Sequence, residues 1–363
     1  MMRCVLLFSR VVFVSKMKGV EMESRRLGRT GVELPVIGLG GIPIGRLTVE
    51  EGIPVINAAF DAGIKFIDTA RGYNSEQHFG AVLKERRDKD GIFVATKSPK
   101  TNADDMRKEL ETSLQQLQVE MIDLYQCHAV RDEDALKKVM SQGGALEALK
   151  KARDEGLIRF IGITSHRFEV LEKAIESGEF DTIMIQYSFI DYEAERRIIP
   201  LANEKDIGII VMKAFAGGVI ERSSPALKYV LRQPVSVVPV GMSSIEEVKD
   251  NIAVAEGTMQ LTDEEKEYIE QTKRETEKVF CRRCGYCTPC PNGVPIPQVL
   301  SFSMIYKRIG WKDMFLNWME KAEECAECEE CLPKCPYELP IIELIKQKRE
   351  EIREVARKLG KLD

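Results

Sequence analysis

The sequence predicts an α/β protein: a (β/α)8 TIM barrel followed by a small, mainly α-helical, ferredoxin-like domain rich in cysteine. Two observations predict the barrel. From residue 36 onward eight short β-branched runs recur, each followed by a longer amphipathic stretch, the alternation that packs helices outside a parallel sheet. Eight such units in roughly 250 residues suit a closed barrel better than an open sheet. A third observation sets the second domain apart: eight of the ten cysteines lie beyond residue 280, at metal-ligand spacing behind a long cysteine-poor stretch.

The first 21 residues, MMRCVLLFSRVVFVSKMKGVE, are basic and apolar, but Arg10 interrupts the apolar run and no small-residue cleavage site follows. With Met17 and Met22 just ahead of a convincing domain start, the expectation is an upstream start codon, with a weak membrane-surface anchor as the alternative. The segment RRLGRTGVELPV at 25–36 carries Leu-Gly and Thr-Gly turn signals and reads as a β-hairpin able to plug the barrel floor. The strands follow as VIGLG at 36–40, FIDTA at 66–70, IFVATK at 92–97, IDLYQCH at 122–128, FIGITSH at 160–166, TIMIQYS at 182–188, GIIVMK at 208–213 and VSVVPV at 235–240. Between them, 104–117, 145–155 and 244–254 show apolar residues three and four apart with charges opposite, which predicts helices. The barrel is expected over 22–275 and the cysteine-rich domain over 276–363.

Composition narrows the function. With 53 basic and 58 acidic side chains the net charge is −5, a balance that disfavours a nucleic-acid partner. No uncharged apolar run approaches the roughly 20 residues that span a bilayer. Cys4 and Cys127 stand alone and the others cluster, the pattern of a metal-binding protein in a reducing compartment rather than of a disulfide scaffold, so a cytoplasmic location is expected.

In such barrels the chemistry sits at the C-terminal ends of the strands. The second strand ends at Asp68, with Tyr73 in the following loop; the third ends at Lys97 and the fourth at His128. Taken singly, each has an ordinary structural explanation as a cap, half-buried packing or a satisfied polar group. Together they make an acid–base site. A carbonyl reduced by hydride needs a proton at its oxygen, and a phenol with a pKa near 10 is a poor donor and base without a cation beside it. Lys97 supplies the cation, Asp68 holds and neutralises it, and His128 donates to or shares a proton with the substrate oxygen.

These residues resemble the aldo-keto reductase superfamily, whose Asp, Tyr, Lys and His tetrad matches Asp68, Tyr73, Lys97 and His128 in order and strand position. RRLGRTGVELPVIGLG, FIDTARGYNSEQHFG, GITSH, IQYS and GMSSIEEVKDN are similar to that family's segments, over about residues 22 to 275. The resemblance implies an NAD(P)H-dependent oxidoreductase acting on a small-molecule carbonyl or alcohol. It implies nicotinamide dinucleotide bound extended on the rim, with Ser165 and Gln186 on the nicotinamide carboxamide and Asn251 at the adenine. Lys213, Gly241 and Glu247 also fall at cofactor-binding positions. Where many members stack an aromatic on nicotinamide this chain has MKAF at 212–215, leaving Met212 or Phe215 as an apolar floor. Where NADP-preferring members carry Lys and Arg it has Gly241 and Glu247. A carboxylate there repels a 2′-phosphate and accepts from a ribose diol, which favours NAD. A solvated Glu247 with Lys249 at the phosphate is the opposite reading.

The tail holds Cys281, Cys284, Cys287 and Cys290 in CRRCGYCTPCP, then Cys325, Cys328, Cys331 and Cys335 in CAECEECLPKCP. The second block is the bacterial ferredoxin run that binds a 4Fe-4S cluster; the first is one residue shorter before its fourth cysteine. In two-cluster ferredoxins the fourth cysteine of each run ligates the other cluster, which predicts Cys281, Cys284 and Cys287 with Cys335, and Cys325, Cys328 and Cys331 with Cys290. A single cluster, or a pair of zinc sites, are the alternatives. The intervening IPQVLSFSMIYKRIGWKDMFLNWMEKA is helical in spacing. The whole chain resembles aldo-keto reductases with a C-terminal ferredoxin-type domain, whose clusters are structural or exchange electrons with a redox partner. A catalytically silent barrel carrying an electron-transfer module, or coupling of both sites through a further redox group, stays open here, since hydride moves two electrons and a cluster one.

Overall fold

The computed structural model describes residues 22–362, so the expectation for the first 21 residues lies outside the described residues. The chain opens on an antiparallel hairpin, β1 (Ser24–Arg26) and β2 (Glu33–Pro35), with Ser24 opposite Pro35. Eight parallel strands follow: β3 (Ile37–Gly40), β4 (Phe66–Asp68), β5 (Phe93–Ser98), β6 (Ile122–Cys127), β7 (Ile158–Thr164), β8 (Thr182–Gln186), β9 (Gly208–Met212) and β10 (Val238–Gly241). Their spatial order is β10-β3-β4-β5-β6-β7-β8-β9. The ring closes where Ile210 bridges Val237 in parallel and Val211 N donates to Val237 O at 3.0 Å. Each run read as a strand is therefore a strand, and the barrel is nearly closed.

The hairpin does plug the floor. Leu27 and Leu34 pack with Phe66, Phe93, Leu124, Met184, Ile210 and Val237, one residue set from the strands' N-terminal halves. Glycine is required at residue 28: its φ is +50°, and a Cβ there would lie 2.2 Å from Gly208 N. Arg26 pairs with Asp206 at 2.7 Å and Arg29 N donates to Asp206 O at 2.6 Å, stitching hairpin to β9.

The predicted helices occur at Ala103–Leu117, Ala145–Asp154 and Ile245–Glu256. Two start on side-chain caps, Asn102 accepting from Asp105 N and Ser244 from Glu247 N, which satisfy orphan donors of the first turn. Beyond the last barrel helix, Asp263–Thr276, the tail contains Ile296–Leu300, Phe302–Ile309, Met314–Glu323 and Ile341–Lys358. Val294, Ile296, Val299, Leu344 and Ile345 pack against the cysteines, and Phe302, Phe315, Met319 and Ile352 form a second small core. The apolar residues between the cysteine blocks are thus core, as their spacing predicts. The tail lies on the barrel's C-terminal rim: Arg282 donates to Ile190 O at 2.9 Å, and Lys307 pairs with Glu221 at 2.6 Å. No helix among the described residues is long and apolar enough to cross a membrane.

Candidate active site

Asp68 is the last residue of β4 and Lys97 the next to last of β5, and the register pairs Asp68 with Ala95. Both side chains point into the rim and are buried, Lys97 at 1% exposure and Asp68 at 6%. Lys97 Nζ donates to Asp68 Oδ1 at 2.7 Å, Oδ2 at 2.6 Å and Thr69 O at 2.8 Å. Burial pushes the Asp68 carboxyl up, against the pull of Lys97 and of Gln126, whose Nε2 lies 3.3 Å from Oδ1.

Tyr73 ends a short 3-10 turn, Arg71–Tyr73, after β4. Its ring lies under the lysine, with Nζ 5.0 Å from the centroid, within cation–π range. His128 follows β6 directly, its N–H donating to Ser98 O at 2.9 Å, and its ring meets Tyr73 edge-on at 5.7 Å. The four residues named from the sequence therefore converge. Burial, then the Lys97 charge, lowers His128 to about 3, so its imidazole is neutral around pH 7 and donates from a single N–H.

That shift carries a stability consequence. The unfolded chain protonates His128 near 6.5 and the folded chain only near 3, so the unfolded state binds more protons between those values. Stability falls as pH is lowered from about 6.5 toward 3, and His128→Gln flattens that part of the dependence in urea midpoints measured against pH. An identical dependence in the variant would contradict a buried neutral imidazole.

The loop carrying Tyr73 is held from below. Thr69 Oγ1 and Ser75 Oγ share a hydrogen bond at 2.7 Å, Arg71 pairs with Glu76 and, at 2.9 Å, with Glu109, and Thr96 Oγ1 donates to Glu76 Oε1 at 2.7 Å. From above, Gly45 presses on it so closely that a Cβ would stand 1.9 Å from Tyr73 O. Gly45→Ala is therefore expected to displace the phenol and reduce kcat by about 10-fold or more, since positional errors of about 1 Å reach 100-fold. Stopped-flow turnover with unchanged iron content checks it.

The positions with a cofactor role implied by resemblance lie on the same rim. Ser165, just past β7, donates to Val130 O at 2.6 Å and accepts from Arg167 N at 3.1 Å. Gln186 ends β8, accepts from Lys213 Nζ at 3.1 Å, and keeps its buried Nε2 without a hydrogen-bond partner. Asn251, on the helix after β10, donates to Glu247 O at 2.7 Å and leaves its buried Oδ1 unpartnered. A buried amide donor and a buried amide acceptor, each short of one bond, fit a carboxamide and an adenine amino group. Gly241 is exposed at the end of β10, and the exposed Glu247 accepts from Ser243 N at 2.6 Å and Ser243 Oγ at 3.1 Å.

The neighbours of the tail cysteines cross the two blocks. Burial, and the neighbouring thiols of Cys284 and Cys335, push Cys281 up to about 11. Cys287, raised to about 12, is buried beside Cys281, Cys284 and Cys335. Cys331 is raised by burial and by Cys325, Cys290 and Cys328, and one cavity is lined by these four cysteines and by Cys287. Cys335 thus neighbours Cys281 and Cys284, Cys290 neighbours Cys331, and thiol donors gathered this way fit a 4Fe-4S cubane. Among the described residues no three His, Cys, Asp or Glu side chains close around a single ion.

Several contributors carry no sequence signal. Gln126 reads only as a strand residue, yet it reaches Asp68. Arg167 joins barrel to tail: Nε donates to Cys284 O at 3.2 Å, Nη2 to Gly285 O at 2.9 Å, and the guanidinium covers the Tyr286 ring at 4.9 Å. His166 Nδ1 lies 3.4 Å from Arg283 O. The first quartet's loop is thereby fastened beside Ser165.

Known proteins place this arrangement. The aldo/keto reductase family model matches residues 36–225, and a 4Fe-4S dicluster domain model matches residues 280–339. L-galactose dehydrogenase of Arabidopsis thaliana is 26% identical over 283 residues, 64% of this chain and 88% of that protein. D-threo-aldose 1-dehydrogenase of a Pseudomonas species is 28% identical over 234 residues, 54% and 70% respectively. A solved aldo-keto reductase from Bacillus halodurans in its holo form superposes with a TM-score of 0.61 at 27% identity, covering 69% of this chain and 96% of that one. The barrel, its rim and these matches agree, and the chain belongs to the aldo/keto reductase family, with a 4Fe-4S domain at its C-terminus.

Proposed function

We propose that this NAD(P)-linked oxidoreductase reduces an aldehyde or ketone to an alcohol, or runs the reverse, with residues 22–275 as the catalytic barrel and residues 276–363 holding two clusters. The observation that carries the reading is Lys97, bonded to both oxygens of Asp68 and 5.0 Å from the Tyr73 ring. A non-catalytic rim has no physical need to bury an ammonium against a phenol.

Nicotinamide dinucleotide, when bound, supplies or accepts the hydride. The chain's own residues handle the proton. The neutral His128 donates to the carbonyl oxygen and fixes its direction, and the Tyr73 hydroxyl gives that oxygen its proton. The phenolate left behind is stabilised by Lys97, whose own charge is balanced by Asp68, until solvent reprotonates it. Gln186 Nε2 and Asn251 Oδ1 are the donor and acceptor for carboxamide and adenine. Glu247, turned to the helix entrance by Ser243, supports a preference for NAD over NADP.

The test is anaerobic NADH and NADPH oxidation by cluster-loaded protein against a panel of aldehydes and ketones. Turnover with NADH ahead of NADPH supports both parts. NADPH ahead of NADH overturns the Glu247 argument alone, and no turnover of any carbonyl overturns the reductase reading. The first quartet, with its buried Cys287, faces the barrel, while Cys328 of the second is exposed, and that exposure favours electron exchange with an external redox partner.

The crossed quartets make a separate prediction. Cys335→Ala loses about half the iron, and adding Cys281→Ala loses no more, because both thiols serve one cluster; adding Cys325→Ala removes the rest. Iron per chain checks all three, and further loss in the Cys281 double variant would put the two thiols on different clusters.

A further inference from the structure

One level of the barrel interior is polar. The register sets Lys97 of β5 beside Gln126 of β6, Gln126 beside Gly162 of β7, and Gly162 beside Thr182 of β8, and residues paired across parallel strands face the same way. The level below holds Ala95, Leu124 and Phe160, the apolar filling that barrel interiors ordinarily have. Gln126 and Thr182 are fully buried, and among the described residues Gln126 Oε1 and Thr182 Oγ1 have no hydrogen-bond partner. Gly162 makes room for the carboxamide, since a Cβ there would stand 2.9 Å from Gln126 Cγ and closer still to Thr182 Oγ1.

A leucine or methionine would fill the place of Gln126 without leaving a buried carbonyl unmet, so packing gives no reason for an amide there. The amide has one bond to show for its cost: Nε2 donates to Asp68 Oδ1 at 3.3 Å. Lys97 Nζ is committed to both Asp68 oxygens and to Thr69 O, so its place against the Tyr73 ring follows the carboxylate wherever that turns. Gln126 meets the same carboxylate from the next strand but one. Burial pushes the Asp68 carboxyl up, and the Gln126 amide, with Lys97, opposes that push.

We propose that Gln126 is a positioning residue of the acid–base site: its amide fixes the rotation and the charge of Asp68, which aligns Lys97 and keeps the Tyr73 phenol acidic. Its meaning for turnover rests on the carbonyl-reductase reading above; its effect on Tyr73 does not. The charged and titratable groups facing Tyr73 are Lys97 from β5, His128 from the end of β6 and, behind Lys97, Asp68 from β4, while the segment packed on the Tyr73 carbonyl carries Arg46. The N–H end of the amide dipole is positive. Without it Asp68 keeps more of its charge unshared and holds Lys97 harder, the phenolate is less well supported, and the phenol becomes a weaker acid.

The experiment compares cluster-loaded wild type with Gln126→Met and Gln126→Glu, each also combined with Tyr73→Phe. Ionisation of Tyr73 is the near-ultraviolet phenolate absorbance that disappears in the Tyr73→Phe counterpart, a readout that needs no substrate. Urea midpoints, NADH titration and single-turnover reduction are measured on the same samples. Gln126→Met, of similar volume, is expected to be at least as stable as wild type and to bind NADH equally, with a phenol about 3- to 10-fold less acidic and kcat lower by about 10-fold or more. Gln126→Leu stands in should Gln126→Met fold poorly. Gln126→Glu keeps the shape of the side chain: it turns over near the wild-type rate while its new carboxyl is protonated and donates to Asp68, and it slows as that carboxyl ionises, between the ordinary value of about 4 and the roughly 8–9 known for buried carboxyls. A side chain that only fills space gives no such inflection. The proposal is overturned if Tyr73 ionises at the wild-type pH in the folded apolar variant, or if Gln126→Glu has the wild-type pH profile. A displaced Tyr73 ionisation in a protein that reduces no carbonyl leaves the role of Gln126 standing and removes the reductase reading.

Discussion

Tyr73→Phe lowers carbonyl turnover by about 100- to 10,000-fold, the usual weight of a positioned acid–base group. The variant keeps the ring and loses the hydroxyl. The contacts that place the ring, Lys97 Nζ at 5.0 Å and His128 edge-on at 5.7 Å, do not involve the lost oxygen, so the loss falls on kcat and kcat/KM together. NADH affinity stays near the wild-type value because the residues read as nucleotide ligands, Gln186 and Asn251, lie on other strands and helices. Single-turnover kinetics beside a fluorescence titration separate the two. Turnover within a factor of a few of wild type would transfer the proton to another group, with His128 the next candidate.

Asp68→Ala has the largest effect on folding. It leaves Lys97 with 1% of its surface exposed and without the carboxylate that accepts two of its three hydrogen bonds. Removing one partner of a buried pair destabilises by about 3–5 kcal/mol, because the remaining charge is uncompensated. The denaturation midpoint of the cluster-loaded chain, followed by far-ultraviolet circular dichroism, drops accordingly. Asp68→Leu combined with Lys97→Met recovers most of the stability, since an apolar pair of similar volume avoids the desolvation of both ions. It recovers no turnover. A double variant as unstable as Asp68→Ala would locate the destabilisation elsewhere in the loop.

The tetrad was legible because barrel geometry converts sequence position into place. A polar residue closing a β-branched run must reach the C-terminal rim, so Asp68 and Lys97 could be brought together without knowing any contact. The strand ends differ slightly: β5 runs one residue past Lys97 and β6 stops one short of His128, because hydrogen-bond register rather than hydrophobicity ends a strand. The 4Fe-4S domain was legible for a different reason, a cysteine spacing rule that follows from the ligand geometry of a cubane. What could not be read depends on tertiary docking. Gln126 and Arg167 lie in segments whose local patterns are those of ordinary strand and loop residues, and their partners are 58 and 117 positions away. No periodicity links residue 167 to residue 284; only the seating of the tail on the barrel does.

The closure of the ring has a consequence for synthesis. β3 starts at residue 37 and its neighbour β10 at residue 238, so the first barrel strand to leave the ribosome waits for the last. At about 5–20 residues per second that wait is roughly 10–40 s. During it β3 and the growing edge of the sheet present unpaired backbone groups, and the hairpin has no floor to plug because Asp206 and Gly208 are still to come. The vulnerable species in this protein's life is therefore the nascent open sheet, and chaperone occupancy or aggregation should fall steeply once residue 241 is free of the tunnel, before either cysteine quartet is complete.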